Sequence, residues 1–242
     1  MTVSVEIVEE PARACATLIV GAALAGGDIV LTGGSTPRAA YQHFVEAVHS
    51  VNVDLSQTTF WVGDERCVDP DDDRSNYKMI KESLLDPLAD RTPSFERMKG
   101  ELGPEEGAED YERILRELGG SDPPRWHLVL LGIGPDGHCA SLFPGQSSLS
   151  ERSRLVVGVP EAGLEPYVPR ISLTLPALAS ARHIVFLATG DSKADAVARA
   201  FGPGAEPDPA TPASLLVPEA ASLAVLLDDA AASRLYFTGE PQ

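Results

Sequence analysis

The sequence predicts a three-layer α/β/α domain built on a mostly parallel, Rossmann-like β-sheet. Two observations support this prediction. Short apolar and β-branched runs alternate along the chain with helical patterns, and most of these runs are continuously apolar, as in parallel strands that helices cover on both faces. The chain has 242 residues, 43% of them hydrophobic, which is enough for one sizeable core. We therefore expect a single α/β domain over residues 1–242.

Six short segments are predicted as strands: residues 28–32 (DIVLT), 58–62 (TTFWV), 127–131 (HLVLL), 154–159 (RLVVGV), 183–188 (HIVFLA) and 223–227 (LAVLL). Helical patterns cover residues 11–24, 37–50, 75–85, 105–118 and 192–201, and several begin with Ser or Pro in a capping position. In an open parallel sheet, ligands bind beyond the carboxyl ends of the strands. The turns that follow the strands are therefore the candidate sites.

The chain is strongly acidic, with 36 Asp and Glu against 19 Lys and Arg and a formal net charge of −17. Such a field repels nucleic acids and acidic membrane surfaces, so we expect neither as a partner. An anionic ligand would need a local group of Arg and Lys that overcomes the global charge. Basic residues beside Gly-rich turns are therefore informative.

Two features predict a cytoplasmic protein. The first ten residues (MTVSVEIVEE) are acidic and lack the basic start and apolar stretch of a targeting signal. The three cysteines, Cys15, Cys67 and Cys139, form no CxxC pair, and this sparse, odd number suits a reducing compartment better than a disulfide framework. We expect them to be small buried side chains.

The first candidate turn follows residues 28–32 and consists of Gly33, Gly34, Ser35 and Thr36, with a helix directly after it. Glycines allow close approach of the backbone, hydroxyls can donate hydrogen bonds, and the free N–H groups of a helix start favour an anion. A phosphate site and an ordinary Ser/Thr helix cap are both compatible with this pattern. The spacing of a P-loop is missing.

The second turn, after residues 58–62, contains Asp64, Glu65 and Arg66. Carboxylates and a guanidinium at a strand end can orient one another, or hold a sugar hydroxyl and a developing negative charge. The alternative is a solvated charged turn.

The third turn, residues 132–138 (GIGPDGH), formally matches GxGxxG. A dinucleotide site would also need an acidic residue about 20 positions later, where Val157 and its apolar neighbours stand instead. The glycines can rather expose Asp136 and His138, with the carboxylate orienting an imidazole that serves as a general base. A lone histidine is more often structural, but the other four histidines lack such a turn.

The remaining candidates are two cations, Arg170 at the start of RISLTL and Lys193 after a further strand. Either can pair with a phosphate, and each alone is typical of a surface charge. There is no GxSxG elbow and no HExxH, and the Cys and His spacing fits no structural metal site. The motifs therefore indicate no structural metal site.

Together these turns resemble one family, the 6-phosphogluconolactonases, within the group that includes glucosamine-6-phosphate deaminase. The matching segments are residues 31–37 (LTGGSTP), 61–66 (WVGDER), 75–77 (SNY), 131–145 (LGIGPDGHCASLFPG), 170–175 (RISLTL) and 190–193 (GDSK). They run through almost the whole chain in the same order. The family resemblance implies the same three-layer α/β/α fold.

Two positions favour the lactonases over the deaminases. Deaminases of this group carry a Glu that assists sugar-ring opening, and Phe143 stands at that position here. Deaminases also tend to have an aromatic residue where this chain has Arg66. Cys139 in place of a common Thr, and Asp69 in place of a frequent Pro, depart from the usual lactonase pattern without touching a proton-transfer group.

The resemblance implies a role for each candidate residue. His138 would be the base that activates water, Asp136 would orient it, and Arg66 or backbone N–H groups would stabilise the oxyanion. The substrate-binding residues would be Gly33, Gly34, Ser35, Thr36, Asp64, Arg170 and Lys193. The substrate would be a phosphorylated sugar lactone, and no metal or organic cofactor would be required, because the ester is activated by ring strain and water is the only second reactant. We expect a monomer or a weak homodimer. The alternatives are a deaminase with Asp64 as base, a non-catalytic sugar-phosphate sensor, and a structural module.

Overall fold

The computed structural model describes residues 2–118 and 124–235 of the chain. The strands are β1 (Thr2–Ile7), β2 (Asp28–Leu31), β3 (Thr59–Val62), β4 (Asp64–Arg66), β5 (Ser94–Glu96), β6 (Leu128–Leu131), β7 (Val156–Val159), β8 (Arg170–Leu173), β9 (His183–Ala188) and β10 (Ser222–Leu227). The α-helices are α1 (Pro11–Leu24), α2 (Ser35–Val51), α3 (Asn76–Ile80), α4 (Asp86–Leu88), α5 (Pro104–Leu118), α6 (Leu175–Ala179), α7 (Ala194–Phe201) and α8 (Asp229–Ala232).

Seven parallel strands form the main sheet, in the spatial order β1-β10-β9-β6-β2-β3-β5. Alternate side chains of its central strands enter two apolar clusters, one on each face: Val30 and Trp61 belong to one, and Ile29 and Phe60 to the other. Helices α1 and α2 cover the second cluster, whereas α5, α6 and α7 cover the first. This arrangement confirms the predicted three-layer α/β/α architecture, because both faces of a continuously apolar parallel sheet must be covered.

A second, three-stranded antiparallel sheet, in the order β4-β8-β7, lies beside the main one and packs against α5. The segment 154–159 was expected to join the parallel sheet, and this expectation is wrong: only Val156–Val159 is a strand, and it pairs antiparallel with β8. The segment 170–175 also divides, because Leu175 begins α6 with Thr174 as its N-cap. An apolar run alone does not show which sheet a strand joins.

Other predicted elements agree closely with the structure. Helix α1 has the predicted bounds, and α2 begins two residues earlier than predicted, directly at Ser35. The predicted helix 75–85 is interrupted, since α3 continues into a π-helical turn, Lys81–Leu85. None of the described helices combines the length and the apolar character needed to cross a membrane.

The position of the candidate turns follows from the topology. Strands β2 and β6 are neighbours, but the chain leaves β2 towards β3 on one side and leaves β6 towards β9 on the other. At such a switch point the connections diverge and open a crevice at the carboxyl ends of the strands. The turns after β2 and β6 border this crevice.

Candidate functional site

A cleft of about 250 Å³ lies at this switch point. The turns after β2, β6 and β9, the strand β4 and the start of β8 contribute to its walls. Nine of the ten predicted site residues line it: Gly33, Gly34, Ser35, Thr36, Asp64, Arg66, His138, Arg170 and Lys193. Asp136 does not line the cleft but contacts His138 from behind. The structure thus brings together the predicted residues from five segments of the sequence.

His138 and Asp136 form a hydrogen-bonded pair, with 2.6 Å between the imidazole Nδ1 and the carboxylate Oδ1. The same Oδ1 accepts a hydrogen bond from the backbone N–H of His138 at 3.2 Å. Gly134 is required beside this pair, because a Cβ at that position would overlap both the imidazole and the carboxylate. Of the three glycines in the GxGxxG match, Gly134 is therefore explained by close packing around the two side chains, and Gly137 by its φ of +91°.

The contact with His138 also affects the pKa of the Asp136 carboxyl group. Burial tends to raise the pKa of Asp136, but its hydrogen bond with His138 and the attraction between the two groups outweigh burial, so the pKa lies below its usual value. An ionised Asp136 accepts a hydrogen bond from the Nδ1–H group, and in the neutral tautomer that makes this bond the lone pair is on Nε2. That arrangement suits a general base whose Nε2 receives a proton.

Phe143 closes one side of the histidine. Its ring lies 4.7 Å from the His138 ring, centre to centre, and is almost fully buried. Ala140, which lies between the two residues in the sequence, also lines the cleft. The position that carries a glutamate in the deaminases therefore holds an apolar ring packed on the imidazole.

Asp64 and Glu65 are buried, with 5% and 2% of their surface exposed, so the alternative of a solvated charged turn is wrong. Glu65 points away from solvent and accepts hydrogen bonds from the backbone N–H groups of Arg66, Asn76 and Tyr77, each at 2.7 Å. Burial raises the pKa of Glu65, and these three donors oppose the rise. Glu65 thus fixes the start of α3 against β4.

Arg66 and Arg170 face each other as register partners of the antiparallel pair β4–β8. Arg170 is only 3% exposed, and burial followed by the nearby charge of Arg66 lowers the pKa of its guanidinium. Arg170 also donates to the carbonyl oxygens of Pro166 at 2.7 Å and Val168 at 3.0 Å, which anchors the loop before β8. Two close guanidiniums in one cleft favour an anionic ligand.

The turn after β2 leads straight into the 17-residue helix α2, and Gly34 there has a φ of 115°, which favours glycine. The Thr36 hydroxyl lies 2.8 Å from that of Thr189, so this helix start is tied to the turn after β9. Lys193 follows in that turn, and burial lowers the pKa of its ammonium group despite the opposing charge of Asp136. A helix N-terminus and a partly desolvated ammonium group converge on the same end of the cleft.

Asn76 is a lining residue to which sequence reasoning assigned no role, although SNY was one of the matching segments. It is 2% exposed, and its Nδ2 donates to the Asp64 carbonyl at 2.8 Å. Leu164 and Glu165 also line the cleft, and nothing in their local sequence signalled this. Burial raises the pKa of Cys139 to about 12, which makes it unsuited to act as a thiolate. Within the described ranges, no three or more His, Cys, Asp or Glu side chains are grouped to hold a metal ion.

Comparisons with known proteins agree with this architecture. Residues 5–225 match the family described as glucosamine-6-phosphate isomerases/6-phosphogluconolactonase. The human 6-phosphogluconolactonase is 37% identical over 207 residues, 85% of this chain and 79% of that protein. The one from Mycobacterium leprae is 38% identical over 212 residues, 84% of this chain and 83% of that protein. The solved 6-phosphogluconolactonase of Trypanosoma brucei superimposes with a TM-score of 0.77 at 28% identity, covering 97% of this chain and 98% of that one.

Proposed function

The chain belongs to the family of glucosamine-6-phosphate isomerases and 6-phosphogluconolactonases, and from this premise we propose that it hydrolyses 6-phospho-D-glucono-1,5-lactone to 6-phospho-D-gluconate in the oxidative pentose phosphate pathway. The observation that carries the choice of reaction is the contact between Phe143 and His138. A deaminase needs a carboxylate at the Phe143 position. Ester hydrolysis needs a base and a water molecule, and no carboxylate at that position. An apolar ring at this point favours the lactonase.

In the proposed reaction, Nε2 of neutral His138 accepts a proton from a water molecule as its oxygen attacks the lactone carbonyl carbon. Asp136 stabilises the resulting imidazolium through the Nδ1 hydrogen bond of 2.6 Å. When the tetrahedral intermediate collapses, the bond from the carbonyl carbon to the ring oxygen breaks, and His138 returns the proton to that oxygen. Water and the lactone are the only reactants, and the product is the open-chain acid.

The tetrahedral intermediate carries a negative charge that must be stabilised in the cleft. Arg66 is the side chain proposed for this role, because the residue lines the cleft and its Nη1 donates to the Arg74 carbonyl at 2.6 Å. An anchored donor loses little freedom when charge develops beside it. Arg170, the register partner of Arg66 on β8, adds to the positive potential at this point.

We place the substrate phosphate at the other end, against the backbone of Gly33 and Gly34, the hydroxyls of Ser35 and Thr36, and Lys193. The start of α2 supplies N–H groups there, and Lys193 supplies a full charge. Phosphate binding away from the reacting carbon holds the lactone in position for attack.

Replacing Lys193 is expected to weaken binding more than it slows turnover. For Lys193→Ala we expect a Michaelis constant about 10- to 100-fold higher, because one charge-assisted contact to phosphate is worth about 1.5–3 kcal/mol. Steady-state kinetics of Lys193→Ala and of the surface control Lys81→Ala, whose ammonium pairs with Asp86, would measure this. A wild-type Michaelis constant in Lys193→Ala would contradict the proposed phosphate site.

The same residue predicts a pH dependence of binding. Because burial lowers the pKa of Lys193, the free protein loses this charge at a lower pH than an exposed lysine, whose usual pKa is about 10.4. The dissociation constant of 6-phosphogluconate should therefore rise on the alkaline side while exposed lysines are still charged. Calorimetric titrations of wild type and Lys193→Arg would test this, since the arginine keeps its charge and should abolish the rise.

The activity itself is tested with 6-phosphogluconolactone generated freshly in the assay and corrected for spontaneous hydrolysis. Glucosamine 6-phosphate, with detection of ammonia, serves as the parallel substrate. We expect rapid lactone hydrolysis and no ammonia. Ammonia release would establish the deaminase with Asp64 as base, and binding of either compound without turnover would establish a sensor.

A further inference from the structure

Ala140 has a backbone conformation that non-glycine residues seldom adopt. Its φ is +48°, in the left-handed region, and it occupies a tight turn closed by a hydrogen bond from the Leu142 N–H to the Cys139 carbonyl at 3.0 Å. This turn starts one residue after His138. A strained alanine keeps its conformation only where its surroundings impose it, so something must hold the turn.

Ser141, the next residue, is the point at which the turn is held. It is fully buried, and its hydroxyl donates to Asp64 Oδ2 at 2.6 Å, while its backbone N–H donates to the Ser172 hydroxyl at 3.2 Å. Asp64 and Ser172 are register partners of the β4–β8 pair. Two adjacent strands therefore bind one serine from both its side chain and its backbone.

Asp64 is itself immobilised. Besides the Ser141 hydroxyl, its carboxylate accepts a hydrogen bond from Asn76 Nδ2 at 3.3 Å, and the same amide donates to its backbone carbonyl at 2.8 Å. The bond from the Ser141 hydroxyl is the shorter of the two to this carboxylate, and both Ser141 and Asp64 are buried. Asn76 is fixed in turn by Glu65, which accepts its backbone N–H.

The histidine is held from its other side as well. The His138 carbonyl accepts a hydrogen bond from the Gly134 N–H at 2.9 Å, and its ring packs on Phe143, which follows the strained turn. The turn from Cys139 to Leu142 therefore connects the imidazole with the small sheet that also carries Arg66. A shift of this turn would move the imidazole relative to that guanidinium.

We propose that Ser141 and Asp64 are positioning residues: their hydrogen bond holds the strained turn at Ala140 and thereby fixes the His138 imidazole relative to Arg66. This inference rests on the proposed function and adds to it a role for a buried serine that cannot reach the substrate. It also gives a role to Asp64, a carboxylate in the cleft that the proposed hydrolysis does not use as a base.

The first test is Ser141→Ala, with Ser83→Ala as matched control. Ser83 is also buried, but its hydroxyl donates only to Met79 and it does not line the cleft. We expect Ser141→Ala to lower kcat about 10-fold or more with a Michaelis constant near the wild-type value, because the phosphate site is untouched. Ser83→Ala should keep both constants. A wild-type kcat in a folded Ser141→Ala protein would overturn the proposal.

The second test is rescue. If the Ser141 bond works by holding a strained alanine, then adding Ala140→Gly to Ser141→Ala removes the strain that drives the turn to relax, and kcat should recover several-fold. A purely stabilising serine would give no recovery of kcat, since glycine adds no contact. If Ser141→Ala does not fold, Ser141→Cys keeps a side chain of similar shape but a much weaker donor to Asp64, and a wild-type kcat in that variant would count against the proposal. A wild-type protein without lactonase activity would instead refute the proposed function.

Discussion

His138→Ala is expected to fold normally and to lose lactonase activity by about 100- to 10,000-fold in kcat, the usual contribution of a positioned general base. That loss corresponds to about 3–5 kcal/mol in the activation free energy. Asp136 holds the imidazole with its Nε2 lone pair available to water, and Phe143 excludes a second polar group from the same side. No other histidine lines the cleft in the described ranges, so no second imidazole can take over the proton.

The control for this variant is His183→Ala. His183 is exposed and begins β9, at the opposite end of the strand from the cleft. Steady-state kinetics with freshly generated lactone should show wild-type kcat for His183→Ala, and calorimetric titration with 6-phosphogluconate should show that His138→Ala still binds the product. Unchanged turnover in His138→Ala would remove this residue from the mechanism.

Much of the fold could be predicted because it depends on local patterns. The runs that became β2, β6 and β9 are continuously apolar, and a strand buried on both faces needs no other signal. Strand β1 was missed because its sequence alternates between polar and apolar residues, as in a partly exposed edge strand, and so lacks a continuous apolar run. The three residues of β4 are too few to show a period at all.

The small antiparallel sheet lay beyond prediction for a different reason. It exists because Arg66 pairs with Arg170, and Val156 with Leu173, and such pairings join distant parts of the chain. Local sequence cannot show them. The burial of Glu65 also depends on this sheet, and on the start of α3 that supplies its hydrogen-bond donors.

The candidate site was predictable to the extent that its residues follow strands. Parallel strands end at one edge of the sheet, so Gly34, His138 and Lys193 had to lie near one another once the strands were recognised. Asn76 and Ser141 act through other side chains, and their neighbours come from distant segments. Such supporting residues become visible only in three dimensions.

Gly134→Ala is the second substitution for which we expect a large effect, with kcat reduced at least about 100-fold although the residue has no side chain to take part in the chemistry. The added Cβ would overlap the imidazole of His138 and the carboxylate of Asp136. Neither group can yield easily, because the imidazole is packed on Phe143 and each is hydrogen-bonded to the other. The pair must therefore separate or rotate, and the base loses its orientation.

Gly132→Ala is the matched control, since it lies in the same turn and a Cβ there meets no atom within 4 Å. Nitrogen NMR of the imidazole should show an altered Nδ1 signal in Gly134→Ala and an unchanged one in Gly132→Ala, while 6-phosphogluconate still binds both. If Gly134→Ala kept the wild-type Nδ1 signal and kcat, the turn would accommodate the Cβ and the expected displacement of the pair would be wrong. If instead the signal changed without a loss of kcat, the contact between Asp136 and His138 would have no part in catalysis. Both variants replace a glycine of the same turn with alanine, so both lose the same backbone freedom. Only the alanine at position 134 overlaps His138 and Asp136. A difference in kcat between the two variants therefore reports the orientation of the imidazole and not the flexibility of the turn.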